Sequence, residues 1–282
     1  MVEARIRPLG PYSLELTAWT DEWRAALPGG GWAQARQGPD GSVTIRASSD
    51  EGVDAARFML ALDDDTTEFH RRFSRDRVLG PSVRSLRGLR PTRKATVTHA
   101  VVRAVCGQLI QSSKARELER AVIRACREDP PSRGALARLS PARLTACGLA
   151  PSRATTLVRL ARTVDLEALR ASPQTAIARL SRERGIGPWS VGVIALSGLG
   201  RYDTGLVADL GLVKLQAALT RRWPDSSEVA AETAGLLAPY DGWEGLASVF
   251  LLAGFKRGLI PGASADRARL ARAVRAPAAS SS

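Results

Sequence analysis

The sequence predicts a mainly α-helical protein with a small α+β domain at its N-terminus. Two observations carry the division. The first 63 residues mix turn clusters with short alternating apolar runs, and from about Asp64 onward the apolar residues recur with a helical period. A third supports the helical part: Ser140-Pro141, Ser172-Pro173 and Gly187-Pro188 each place proline where a helix begins.

In chain order, Tyr12-Ser-Leu-Glu-Leu-Thr-Ala-Trp19 alternates and reads as a strand. Gly29-Gly30-Gly31 and Pro39-Asp40-Gly41 are turns, and Trp32–Arg36 and Ser42–Ala47 are strands of a hairpin around the second. Asp50 is expected to cap a helix running to about Leu62. About eight or nine helices are expected between Asp64 and Arg257. In one of them, Thr96 to Gln111, Val97, Val101, Val105 and Leu109 share a face. Gly148, Gly185 and Gly200 read as helix ends. The domain reading is therefore 1–63 α+β, 64–262 all-helical in two subdomains, and 263–282 a loosely ordered basic tail.

Composition narrows the function. The 282 residues carry a formal net charge of +13, mostly from arginine, since the lysines are only Lys94, Lys114, Lys214 and Lys256. Such a chain suits an anionic partner, nucleic acid first, although a genome biased toward arginine codons gives the same balance. Cys106, Cys126 and Cys147 are too widely spaced for a Cys-x-x-Cys site, which argues against a disulfide framework and an iron–sulfur cluster. His70 and His99 form no metal-ligand pattern. No apolar run approaches the roughly 18–20 residues of a membrane span, and Met1–Leu16 has no apolar segment of the secretory type. A cytoplasmic protein is expected.

The stretch richest in chemistry is Leu180-Ser-Arg-Glu-Arg-Gly-Ile-Gly-Pro-Trp-Ser-Val-Gly-Val-Ile-Ala-Leu196. A helix from Pro173 to about Arg184, a turn at Gly185-Ile-Gly187 and a second helix from Pro188 to Ser197 make a helix-hairpin-helix. Its glycines allow positive φ and close approach of another backbone, and Ile186 plugs the gap between the helices. The free N–H groups around Gly185, Gly187 and Pro188 can hold a phosphate. Gly-x-Gly alone is a weak signal and is more often an ordinary tight helix–helix turn. Further on, Tyr202-Asp-Thr-Gly-Leu-Val-Ala-Asp209 leads into a helix expected to reach about Thr220. Asp209 is a favoured N-cap and needs no further role to be there, while Asp203 reads as a turn residue.

Three ordered blocks together resemble the helix-hairpin-helix DNA glycosylases, most nearly the bacterial alkylpurine (3-methyladenine) DNA glycosylase II branch. They are Val102-Arg-Ala-Val-Cys-Gly-Gln-Leu-Ile-Gln111, Gly185-Ile-Gly-Pro-Trp-Ser-Val191 and Val207-Ala-Asp-Leu-Gly-Leu-Val-Lys214. Leu237–Ser248 is a shorter match to the family's closing helix. The similarity covers roughly Leu62 to Gly258, and residues 1–63 match the branch's extra domain in placement only. Gln111 and Ser190-Val191 depart from the commoner family residues, a small hydroxyl residue and Thr-Ala.

The resemblance implies a helix-hairpin-helix glycosylase fold and a monomer that acts in the cytoplasm, at the nucleoid, on double-stranded DNA with damaged bases, with no membrane partner. It implies Asp209 as the catalytic carboxylate, Trp189 as a wall of the lesion pocket, and Leu109 with Gln108 as the wedge that fills the gap left by a flipped base. Leu109 on its apolar stripe is also consistent with plain core packing. Trp189 stands where strand-cleaving relatives carry a lysine nucleophile, so a monofunctional enzyme is expected. No cofactor is implied; the one ion compatible with the reading is a monovalent cation at the hairpin. The competing readings are a non-catalytic helix-hairpin-helix module, which needs no Asp209, a lyase for oxidised bases, which needs the missing lysine, and a general arginine-driven nucleic-acid binder.

Overall fold

A computed structural model describes residues 1–108 and 110–275. The N-terminal segment forms β1 (Val2–Ile6), α1 (Leu14–Ala18), β2 (Glu22–Leu27), β3 (Gly31–Gln37), β4 (Val43–Ala47) and α2 (Asp50–Met59). There follow α3 (Thr67–Phe73), α4 (Gly80–Ser85), α5 (Val97–Gly107), α6 (Ser112–Cys126), α7 (Arg133–Arg138), α8 (Pro141–Ala146), α9 (Pro151–Thr163), α10 (Pro173–Leu180) and α11 (Pro188–Ile194). The chain ends its described part with α12 (Leu210–Thr220), α13 (Val229–Leu237), α14 (Glu244–Lys256) and α15 (Ala265–Arg275).

Packing divides the chain into two units. One comprises residues 1–66 and 88–201, the other 67–87 and everything from Tyr202. The cut thus falls elsewhere than the boundary expected at residue 63, because the α+β segment shares a unit with α5 to α11.

In the first unit the strands pair antiparallel in the order β1-β4-β3-β2. Alternation puts Ala33, Ala35, Val43 and Ile45 on the buried face, against Val53, Ala56 and Met59 of α2. The predicted hairpin is β3–β4. The predicted strand at Tyr12–Trp19 is instead α1. Ser13 caps it by accepting from the Leu16 N–H (3.2 Å), Leu14 and Thr17 turn inward together, and Trp19 ends it at φ 61°. An alternating pattern this short also fits one helical turn, and the cap decides. Ser49, not Asp50, caps α2, accepting from the Gly52 N–H. Arg90 is 1% exposed and ties the chain ends of this region together, donating to the carbonyls of Leu9, Pro11 and Ala61.

The helical core of this unit gathers Val97, Val101, Val105, Val122, Leu157 and Ile194. Thr96 caps α5 through the His99 N–H. His99 itself serves packing: with Lys94 and Arg103 it donates to buried Glu119 of α6 (2.9, 2.7 and 3.2 Å). Burial opposes ionisation of Glu119, but these three partners outweigh it and hold the carboxyl far below the usual range.

The second unit is built around aromatic contacts between its two chain segments. Phe69 of α3 meets Trp243 and Phe250, and Phe73 meets Tyr240, whose hydroxyl donates to Asp76. Within the tail expected to be loose (263–282), Ala265–Arg275 is instead helical, with Ala268 and Ala271 buried and α15 packed along α12; residues 276–282 lie outside the described residues. Two alanines make too narrow an apolar face to stand out among arginines. Helices α3 to α14 also outnumber the eight or nine expected. Short ones such as α7, Arg133–Arg138, span too few residues to show a helical period in the sequence. No helix among the described residues is long and apolar enough to cross a membrane.

Candidate active site

The hairpin lies in the first unit. Helix α10 stops at Leu180, four residues before the expected end, and turns carry the chain to Ile186, which is buried in the core. Gly185 has φ 86°, and a Cβ there would fall 2.4 Å from Thr156 Oγ1 on α9, so both conformation and space require glycine. Gly187 corrects the sequence expectation. It is extended (φ −88°, ψ 176°), as befits a residue before proline, and no atom lies within 4 Å of where its Cβ would be. Nothing inside the protein demands glycine at 187. The space in front of its Cα, at the start of α11, is open. Arg159 fastens the turn to α9 through Glu183 (2.6 Å) and the Arg184 carbonyl (2.8 Å). Helix α11 widens into a π turn at Ala195–Leu199 and ends at Gly200.

The end of α5 is keyed onto this hairpin. The half-buried Trp189 ring lies on Gly107, where a Cβ would be 2.6 Å from Cη2. Beside it, Gln108 Nε2 donates to the Gly185 carbonyl (2.8 Å) and to the buried Ser190 Oγ (3.0 Å). Of the two residues assigned to a wedge, Gln108 is therefore a tether between α5 and the hairpin. Leu109 lies outside the described residues. Ser190, noticed in the sequence only as a departure from the family, gains a function as the acceptor for Gln108.

Asp209 lies in the second unit and caps α12, as the sequence suggested. Its Oδ1 accepts from the Gly211 N–H (2.7 Å) and the Leu212 N–H (3.3 Å). A Cβ on Gly211 would meet Leu252 Cδ2 at 2.4 Å and Asp209 Oδ1 at 2.9 Å, so this glycine gives the carboxylate its room. The residue before the aspartate is strained. Ala208 has φ 65°, a left-handed conformation that costs a non-glycine residue roughly 1–2 kcal/mol. Leu210 follows, 48% exposed at the helix mouth. Asp203 sits in a bend and accepts from Thr204 Oγ1, consistent with a turn residue. Among the described residues no group of three or more His, Cys, Asp or Glu side chains is arranged to hold a metal ion. The sequence carried no signal for Ala208 or Gly211, because strain and crowding arise only from the assembled helices.

A carboxylate clamped by backbone amides can stabilise a nearby cation and orient a water molecule. An open helix N-terminus can grip a phosphate. The two-unit, mostly helical architecture is shared by solved structures. The chain superposes on a 3-methyladenine DNA glycosylase from Archaeoglobus fulgidus with a TM-score of 0.72 at 18% identity, over 91% of this chain and 98% of that one. It superposes on an 8-oxoguanine glycosylase/lyase from Clostridium acetobutylicum, solved with double-stranded DNA, with a TM-score of 0.67 at 14% identity, over 92% and 99%. No family model and no curated protein matches the sequence. The protein has the fold of the helix-hairpin-helix DNA glycosylases.

Proposed function

We propose that the protein is a monofunctional DNA glycosylase of base excision repair, acting as a monomer in the cytoplasm on double-stranded DNA. Its substrates are alkylated purines such as 3-methyladenine. The observation that carries this reading is the Asp209 carboxylate, held at the mouth of α12 by two backbone amides beside a strained residue. A non-catalytic DNA-binding module would need Asp209 only as the cap of α12. Breaking an N-glycosidic bond builds positive charge on the sugar, and a fixed carboxylate opposes it and orients the attacking water. An alkylated purine is already cationic and leaves without a strong general acid, so one carboxylate suffices.

The other residues take supporting roles. Gly185, Gly187 and the Pro188 helix hold DNA phosphate through backbone N–H groups. Leu109 fills the vacancy left by the flipped nucleotide, with Gln108 anchoring the loop beside it. Trp189 offers an electron-rich face to a cationic base, a contact worth roughly 0.5–2 kcal/mol.

The fold is common to a glycosylase and a glycosylase/lyase, so the choice between them rests on this chain's residues. Trp189 has no amine to form a Schiff base with the sugar. Incubation with duplex DNA bearing methylated purines is expected to release free base and leave abasic sites, with strand breaks only after heat or alkali. Borohydride is expected to trap no covalent complex. A trapped adduct would move the protein to the lyases, and an absence of base release would end the enzyme reading.

A further inference from the structure

We infer that Thr233 is a positioning residue for Asp209, acting through the backbone of Ala208. The inference rests on Asp209 being the catalytic carboxylate. Leu206 to Asp209 forms a tight turn, closed by the Asp209 N–H donating to the Leu206 carbonyl (3.0 Å). The turn forces Ala208 into left-handed backbone at φ 65°, which alanine leaves readily unless held. What holds it is a fully buried hydroxyl. Thr233 Oγ1 accepts from the Ala208 N–H at 2.8 Å while its own proton goes to the Val229 carbonyl at 2.7 Å. The other end of the turn is held in the same way: buried Ser248 Oγ accepts from the Leu206 N–H (3.1 Å) and donates to the Glu244 carbonyl (2.7 Å).

Two helices thus hang the turn from both flanks, and each hydroxyl has its proton directed into its own helix, leaving a lone pair for the turn. The next residue in the chain is Asp209, whose Oδ1 accepts from the Gly211 amide at 2.7 Å, so a shift of the Ala208 backbone is passed directly to the residue that carries the carboxylate. Removing the Thr233 oxygen leaves the Ala208 N–H without its acceptor and removes what opposes relaxation of the turn. The carboxylate then swings from its cap. Thr233 touches no substrate in this scheme. It fixes where the charge stands, and transition-state electrostatics depend steeply on that.

The test compares Thr233→Val with Thr233→Ser, using wild type and Asp209→Asn as references. Single-turnover release from methylated duplex is expected to fall about 5- to 10-fold in Thr233→Val, the loss of one hydrogen bond's worth of placement. Duplex Kd is expected to stay unchanged, and Thr233→Ser to restore the rate. Thr233→Ala, which removes the oxygen without pressing a methyl on the amide, replaces Thr233→Val if that variant does not fold. Amide hydrogen exchange is read in parallel on the DNA-free proteins. Faster exchange at Ala208 and Gly211 in Thr233→Val, with wild-type protection in Thr233→Ser, supports the inference even if no base is released by wild type. A wild-type rate in Thr233→Val, equal loss of rate and binding, or unchanged exchange overturns it. Loss of the proposed function itself shows separately, as a wild type that releases no base.

Discussion

Asp209→Asn is expected to stay folded, bind duplex DNA as wild type does, and release alkylated base on the order of 10²-fold or more slowly. The separation of these outcomes follows from what Asp209 does in the structure. Its Oδ1 caps α12 through the Gly211 and Leu212 amides. Asparagine retains a side-chain oxygen at that place and ranks with aspartate as an N-cap, so helix and loop keep their support. What disappears is the full negative charge. The sugar becomes positive only on the way to the transition state, so ground-state binding of DNA does not register the change while the barrier does. Single-turnover release from methylated duplex, duplex binding and thermal unfolding, measured side by side, check the three parts. Near-normal release would leave Asp209 as a cap only. Loss of folding would show that capping cannot be transferred to the amide.

Gly187→Arg is expected to weaken binding to damaged and undamaged duplex alike, on the order of 10- to 100-fold, the worth of a charge-assisted hydrogen bond or two to phosphate. The structure makes this a cleaner test than the sequence suggested. Position 187 is extended, and a Cβ there meets nothing within 4 Å, so the variant's fold has no internal reason to suffer. The side chain instead enters the open space at the start of α11, where the phosphate is proposed to sit. The guanidinium pulls the other way, since it attracts phosphate, so weaker binding despite the added charge reads directly on steric closure of the site. Fluorescence anisotropy with both duplexes, with circular dichroism as the control for folding, gives the answer. Binding at wild-type strength would make the hairpin a packed turn that does not touch DNA. Lesion-selective loss would place Gly187 against the base rather than the backbone.

Much of the protein was determined by the sequence alone where the deciding interactions are local. Thr96, Pro141, Pro173 and Pro188 mark true helix starts, and Asp209 caps a helix that runs to Thr220, because a cap or a proline acts within one turn of itself. The Gly-Ile-Gly-Pro-Trp hairpin was legible for the same reason, as was the β3–β4 hairpin around Pro39-Asp40-Gly41. Local reading failed where two conformations fit one short pattern. Tyr12–Trp19 alternates like a strand, yet the Ser13 cap and the Gln37 side chain that accepts from the Leu14 N–H make it a helix. Only the tertiary structure could decide the rest. Joining 67–87 to the segment from Tyr202 depends on Phe69 finding Phe250 across more than half the chain. Gly187 is bare on a surface, whereas Gly185 is bare because Thr156 fills its place. Gln108, read as part of a wedge, spends its amide on Gly185 and Ser190. Ala208 takes a conformation that its own propensity opposes, held by a hydroxyl twenty-five residues away. Short-range preferences are written in neighbouring residues. Strain, crowding and side-chain tethers exist only once distant segments meet, so the surroundings of Asp209 could not be read before the chain was folded.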